Sequence, residues 1–133
     1  MIYLDPTAIM KLITTTPESS ALTDYLRSRT DITWFTCALS RAEVMRAAAT
    51  LDPDATEHAH HALAGLDLVA VTDRLLDAAI ELAPAPEHTT DALHIAAALS
   101  AGPQLHTLIT YRPELARDAA AHHINTSSPG GSP

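Results

Sequence analysis

Cysteine is almost absent. Cys37 stands alone, so no disulfide can form within the chain, which agrees with a reducing, cytoplasmic compartment. Aromatics make up only 4% of the residues, too few for a platform on which bases stack. Basic residues are scarce as well: eight Lys and Arg against 16 Asp and Glu give a formal net charge of -8, and Lys11 is the single lysine. That balance argues against a general polyanion binder, whose footprint is a basic face. It agrees with a carboxylate-rich metal site, with a basic protein partner, or with an ordinary solvated surface. No apolar run is long enough to span a bilayer, and Asp5 interrupts the apolar stretch that follows Met1. Neither a membrane segment nor a signal peptide is expected. No repeat is present.

What is abundant is Ala, Leu, Ile and Val, within a hydrophobic share of 47%. The alanines favour helices that pack closely. The organising stretch is Met1-Ile2-Tyr3-Leu4-Asp5-Pro6-Thr7. Ile2, Tyr3 and Leu4 form a short strand-like run that stops at a carboxylate. Pro6 suits the first turn of a helix, so Asp5 falls at the N-cap. A strand that ends on an acid and passes at once into a helix puts that acid on the carboxyl edge of a sheet. In open α/β sheets, ligands bind at that edge.

Further along, strands are expected over 31–37, 66–71 and 105–110, with a short one near Ile124. Helices are expected over 6–15, then to about 29, and over 40–50, 53–65, 72–82, 89–101 and 113–121. Ser40-Arg41-Ala42-Glu43 has the form of a capping box, which starts the third helix at Ser40. The alternation predicts one α/β domain over 1–125, a three-layer α/β/α sandwich on a largely parallel sheet of about five strands. The Ser-, Pro- and Gly-rich segment 126–133 reads as a flexible tail.

Three acids stand at or near helix starts: Asp5, Glu43 and Asp91. Each has a structural explanation. Asp5 caps a helix, Glu43 answers Ser40 in the capping box, and Asp91 complements a helix dipole. Together they suggest more. The architecture lets them converge on one edge, and clustered carboxylates repel unless a cation joins them. Hard ions such as Mg²⁺ or Mn²⁺ take oxygen ligands of this kind.

The opening Ile-Tyr-Leu-Asp-Pro-Thr-Ala resembles that of PIN-domain nucleases. Ser-Arg-Ala-Glu-Val-Met-Arg-Ala at 40–47, Thr-Asp-Ala-Leu-His-Ile-Ala-Ala-Ala at 90–98 and Leu-Ile-Thr-Tyr at 108–111 resemble that family's later motifs, in order. The resemblance is to VapC-type toxins of bacterial toxin–antitoxin pairs. It implies a metal-dependent endoribonuclease in which Asp5, Glu43 and Asp91 hold Mg²⁺ or Mn²⁺. Cleavage would be hydrolytic and in line, leaving a 5′-phosphate and a 3′-hydroxyl. Thr7 would hold a carboxylate or a water from behind the ligands. A cognate antitoxin would cover the site, and the chain would form a homodimer.

Two positions depart from the family pattern. Pro6 stands where Thr or Ser is common. Arg112 stands where a fourth acid usually follows Thr. Glu114 is the nearest substitute ligand, although a two-residue shift turns a side chain about 200° around a helix. Asp118 lies a turn further on. Arg112 is a candidate grip for a substrate phosphate, as is Arg41. Arg46, three residues after Glu43, invites an ion pair with it. Lys11 reads as a surface charge. His58 and His61 share a helix face, but no third zinc ligand has matching spacing. His94 follows Asp91 by three residues, either as a buried support or as a transition-metal ligand.

Two other functions compete. A haloacid-dehalogenase-like phosphatase also begins with a strand and then Asp, but needs a second Asp where Thr7 stands. A PIN-like module that binds RNA or protein without cutting would explain Arg112.

Overall fold

The computed structural model describes residues 1–131. Its centre is β1 (Ile2–Leu4), which pairs in parallel with β2 (Trp34–Cys37) on one side and β4 (Thr107–Ile109) on the other. β3 (Asp67–Val69) flanks β2, and β5 (Thr126–Ser127) flanks β4. The five strands are all parallel, in the order β3-β2-β1-β4-β5. Parallel neighbours need crossovers, and here helices supply them.

Successive strand side chains point to opposite faces, which splits the core in two. Ile2 and Leu4 pack beneath α1 (Pro6–Ile13), α2 (Ser19–Arg27), α3 (Ala38–Ala49) and α4 (Pro53–Ala64). Tyr3 points the other way, toward α5 (Asp73–Ile80), α6 (Thr89–Leu99) and α7 (Pro113–Ala121). All three β1 residues are fully buried, as a strand covered on both faces requires. α6 is buried without a break from Asp91 to Ala98. Its alanines leave room for neighbours on every side, which is the pattern of a helix inside the fold.

Local chemistry starts the helices where expected. Asp5, Asp52 and Thr72 each accept a backbone N–H of their own helix, and Pro6, Pro53 and Pro113 open theirs. The capping box at Ser40 does not form. β2 runs straight into α3, whose N-cap is Cys37, and Ser40 is buried with its hydroxyl 2.7 Å from Thr36 Oγ1. Committed to Thr36, that hydroxyl is not free to cap.

The segment from 126 is not a loose tail over its described part. Thr126–Ser127 extends the sheet as β5, Ser127 Oγ lies 2.9 Å from Thr107 Oγ1, and Tyr111 Oη donates to the Pro129 carbonyl at 2.8 Å. Backbone pairing with β4 orders the start of a segment whose Ser-, Pro- and Gly-rich composition reads as a tail. Ser132 and Pro133 lie outside the described residues. The strand expected near Ile124 begins two residues later. Ile124 instead closes α7: its N–H bonds to the Ala119 carbonyl behind a left-handed His123, and its side chain enters the core. Among the described residues, no helix is long and apolar enough to cross a membrane.

Candidate active site

Three strands deliver polar groups to one edge of the sheet. β1 ends on Asp5, β4 on Thr110, and β2 leads into α3, which carries Glu43. The first turns of α6 add Asp91 and His94 from the opposite layer.

Asp5 is fully buried. Its Oδ1 accepts from Thr7 Oγ1 at 2.6 Å and from the Ala8 N–H at 2.9 Å, and its Oδ2 accepts from Thr110 Oγ1 at 2.6 Å. Among the described residues, no Lys or Arg pairs with it. Burial pushes its carboxyl above the ordinary range, opposed by the bonds from Thr110, Thr7 and Ala8.

Asp91 is as deep, at 1% exposure, and is answered differently. Arg112 Nη1 donates to its Oδ1 at 2.6 Å and Nη2 to its Oδ2 at 3.1 Å, a two-pronged fork. The Arg112 side chain is 35% exposed, and the bond to Asp91 raises its pKa. Glu114, mostly exposed, reaches Arg112 Nη2 at 3.5 Å from outside. Arg112 N–H donates to Thr110 Oγ1 at 3.1 Å, so Thr110 joins the Asp5 and Asp91 groups.

Glu43 is held by a buried relay. Cys37 N–H donates to the Tyr3 hydroxyl at 3.1 Å. The Tyr3 hydroxyl lies 2.7 Å from His94 Nδ1, and burial drives its pKa far up, so it stays neutral; we assign its proton to that bond. That arrangement assigns the remaining imidazole proton to Nε2, which donates to Glu43 Oε1 at 2.9 Å.

Contacts therefore run without a gap from Glu43 through His94, one turn of α6, Asp91, Arg112 and Thr110 to Asp5 and Thr7. Yet each acid is engaged by its own partner. Among the described residues, no three His, Cys, Asp or Glu side chains stand together as a ready metal cage. The donor set still fits a hard cation. It is made of carboxylate oxygens, and Asp5 is a buried acid with no cationic partner among the described residues.

The other predicted residues fall as follows. Arg41 and Arg46 are exposed on α3, and neither pairs with Glu43. Lys11 bonds Glu18 at 3.1 Å and lies 4.7 Å above the Tyr111 ring. Asp118 shows no side-chain bond among the described residues. His58 and His61 are exposed, and no third ligand joins them there. A groove of about 580 Å³ opens beside Thr110 and Arg112, and Lys11, Tyr111 and Arg117 line it. Thr110 and Tyr3 were not singled out from the sequence. Thr110 had a signal, since it ends a strand one residue past β4 just as Asp5 does past β1. Tyr3 had none, because an aromatic in a central strand reads as core.

Fold and site together define a class: three-layer α/β/α domains with an acidic site at the carboxyl edge of a parallel sheet. Residues 2–111 match the PIN domain family. The chain belongs to that family, and its relatives place it with the VapC type. It is 46% identical to Ribonuclease VapC46 of Mycobacterium tuberculosis (strain ATCC 25618 / H37Rv) over 119 residues, 90% of this chain and 89% of that one. It is 35% identical to Ribonuclease VapC35 of the same strain over 133 residues, 98% of each chain. Ribonuclease VapC47 of Mycobacterium tuberculosis (strain CDC 1551 / Oshkosh) is 33% identical over 135 residues, again 98% of each.

Proposed function

We propose that the chain is a VapC-type toxin, an endoribonuclease dependent on Mg²⁺ or Mn²⁺. The observation that carries this is Asp5: a fully buried carboxylate at the end of the central strand, fixed by three donors and lacking a counter-charge. The names of the relatives support RNA as the substrate. Asp5, Asp91 and Glu43 would hold the ion, with Glu114 in reach of Arg112 at the rim. Bound there, the ion supplies a Lewis acid for phosphate and lowers the pKa of water.

The chain's own residues do the positioning. Thr7, Thr110 and the Ala8 N–H fix the Asp5 carboxylate, and His94 fixes that of Glu43. Arg112 and Arg117 along the groove, beside the Lys11–Glu18 pair, would offset the charge of an RNA backbone, and Arg41 on α3 is a further candidate for a phosphate. The same reading gives a cytoplasmic homodimer and a cognate antitoxin. The net charge of -8 suits a basic inhibitory segment.

A second reading is a module that binds without cutting, and the Arg112–Asp91 fork favours it. The two separate on RNA incubated with the purified protein. Under the first, Mg²⁺ or Mn²⁺ gives fragments with 5′-phosphate and 3′-hydroxyl ends, and EDTA stops their formation. Cleavage untouched by EDTA overturns metal dependence. Absence of cleavage, with RNA or a protein partner still retained, favours the module.

A further inference from the structure

We propose that Arg112 is a built-in cation that occupies Asp91 in the metal-free protein and must release it before a divalent ion can bind. The inference rests on reading the site as a Mg²⁺ or Mn²⁺ centre. Asp91 is buried, and a buried carboxylate needs a counter-charge. The Arg112 guanidinium provides one, and it takes both carboxylate oxygens. Those oxygens are what a metal would require, and two positive charges on one buried carboxylate repel, so the two cations compete for it.

The geometry also lets Arg112 leave. Its backbone is fixed at the N-cap of α7 by the bond to Thr110, but its side chain is partly in solvent. Glu114 offers a second contact on the outer side at 3.5 Å. The groove shared with Lys11 and Arg117 lies beside it, so a released guanidinium faces the path proposed for an RNA phosphate. Arg112 is thus a positioning residue. It holds Asp91 in place and would turn to the substrate once released by an ion.

Competition of this kind is reciprocal: Arg112 weakens metal binding by the factor by which metal weakens the fork. Calorimetric titration with Mn²⁺, without RNA, measures that factor. Arg112→Gln is expected to bind Mn²⁺ at least about fivefold tighter than the wild type, the lower end of common coupling factors. Arg117→Gln removes the same charge one turn and a half along α7 without touching Asp91, and should change affinity less than about twofold. The gain from Arg112→Gln should disappear in an Asp91→Asn background, because the coupling runs through that carboxylate. In the wild type, the side-chain Nε–H resonance of Arg112 should shift on saturation with Mg²⁺, a readout that needs no variant. Should Arg112→Gln fail to fold, Arg112→Lys keeps a charge, loses the fork and is expected to bind more tightly than wild type. Equal affinity in the wild type and the folded Arg112 variant overturns the proposal and leaves the metal centre standing. An equal gain in Arg117→Gln overturns it too, in favour of general electrostatics. If no preparation binds Mn²⁺, the metal centre falls and the proposal with it.

Discussion

Asp5→Asn is expected to lower metal-dependent RNA cleavage by at least about 100-fold, the scale on which metal sites respond to lost ligands and supports. The same change should leave the metal-free protein more heat-stable at neutral pH. Both effects follow from one burial. In the folded chain the Asp5 carboxyl is pushed above its unfolded pKa, because water is excluded from it. Its contribution to stability is therefore full below the unfolded pKa and is lost as pH rises through the folded one. Asn never ionises and escapes that loss.

Two of the three hydrogen bonds can be kept and the third reversed. The Asn oxygen would accept from Thr7 and Ala8, while its NH₂ would face Thr110 Oγ1, which can rotate its proton away. In EDTA the melting temperature of the variant, relative to wild type, should grow from acid toward neutral pH. A variant that melts lower than wild type at neutral pH contradicts this, as does one that still cleaves RNA at the wild-type rate.

Tyr3→Phe should have the largest effect on stability for the loss of a single atom. The hydroxyl is the partner of two buried groups, the Cys37 N–H and His94 Nδ1. Phe fills the same volume and leaves both unpaired. Each orphaned polar group costs roughly 1–3 kcal/mol, so the pair costs roughly 2–6 kcal/mol, read from urea denaturation. Activity should fall as well. Without the Tyr3 proton, nothing fixes the tautomer of His94, and the Nε2–H that orients Glu43 is no longer assured. Supports one step behind ligands are worth about 10- to 100-fold, so cleavage well below the melting temperature should drop by about tenfold or more. Stability within about 0.5 kcal/mol of wild type would contradict the relay, because that is the range of an inert surface change.

The parts of the fold that follow from short-range chemistry were readable. Ile2–Leu4 ending on Asp5-Pro6, the caps at Asp52 and Thr72, and the alanine run of α6 each declare their element within a few residues. Family membership was readable for the same reason, since its motifs are local. What was not readable depends on partners distant in sequence. Ser40 and Glu43 have the spacing of a capping box, but Thr36 takes one and His94, 51 residues away, takes the other. The composition of 126–127 says tail, and pairing with β4 makes it strand. Arg112 was legible as a departure from an acid. That it would close on Asp91 was not, because the two meet only where α6 and α7 pack on the same face.

The most direct measurement is anomalous diffraction from a crystal of this protein soaked in Mn²⁺. Expected is a single strong peak between Asp5 and Asp91, roughly 2.0–2.6 Å from carboxylate oxygens as hard cations require, with Arg112 turned away from Asp91. A peak confined to surface histidines such as His58 and His61, with Arg112 still in the fork, would contradict a shared ion at the end of the central strand.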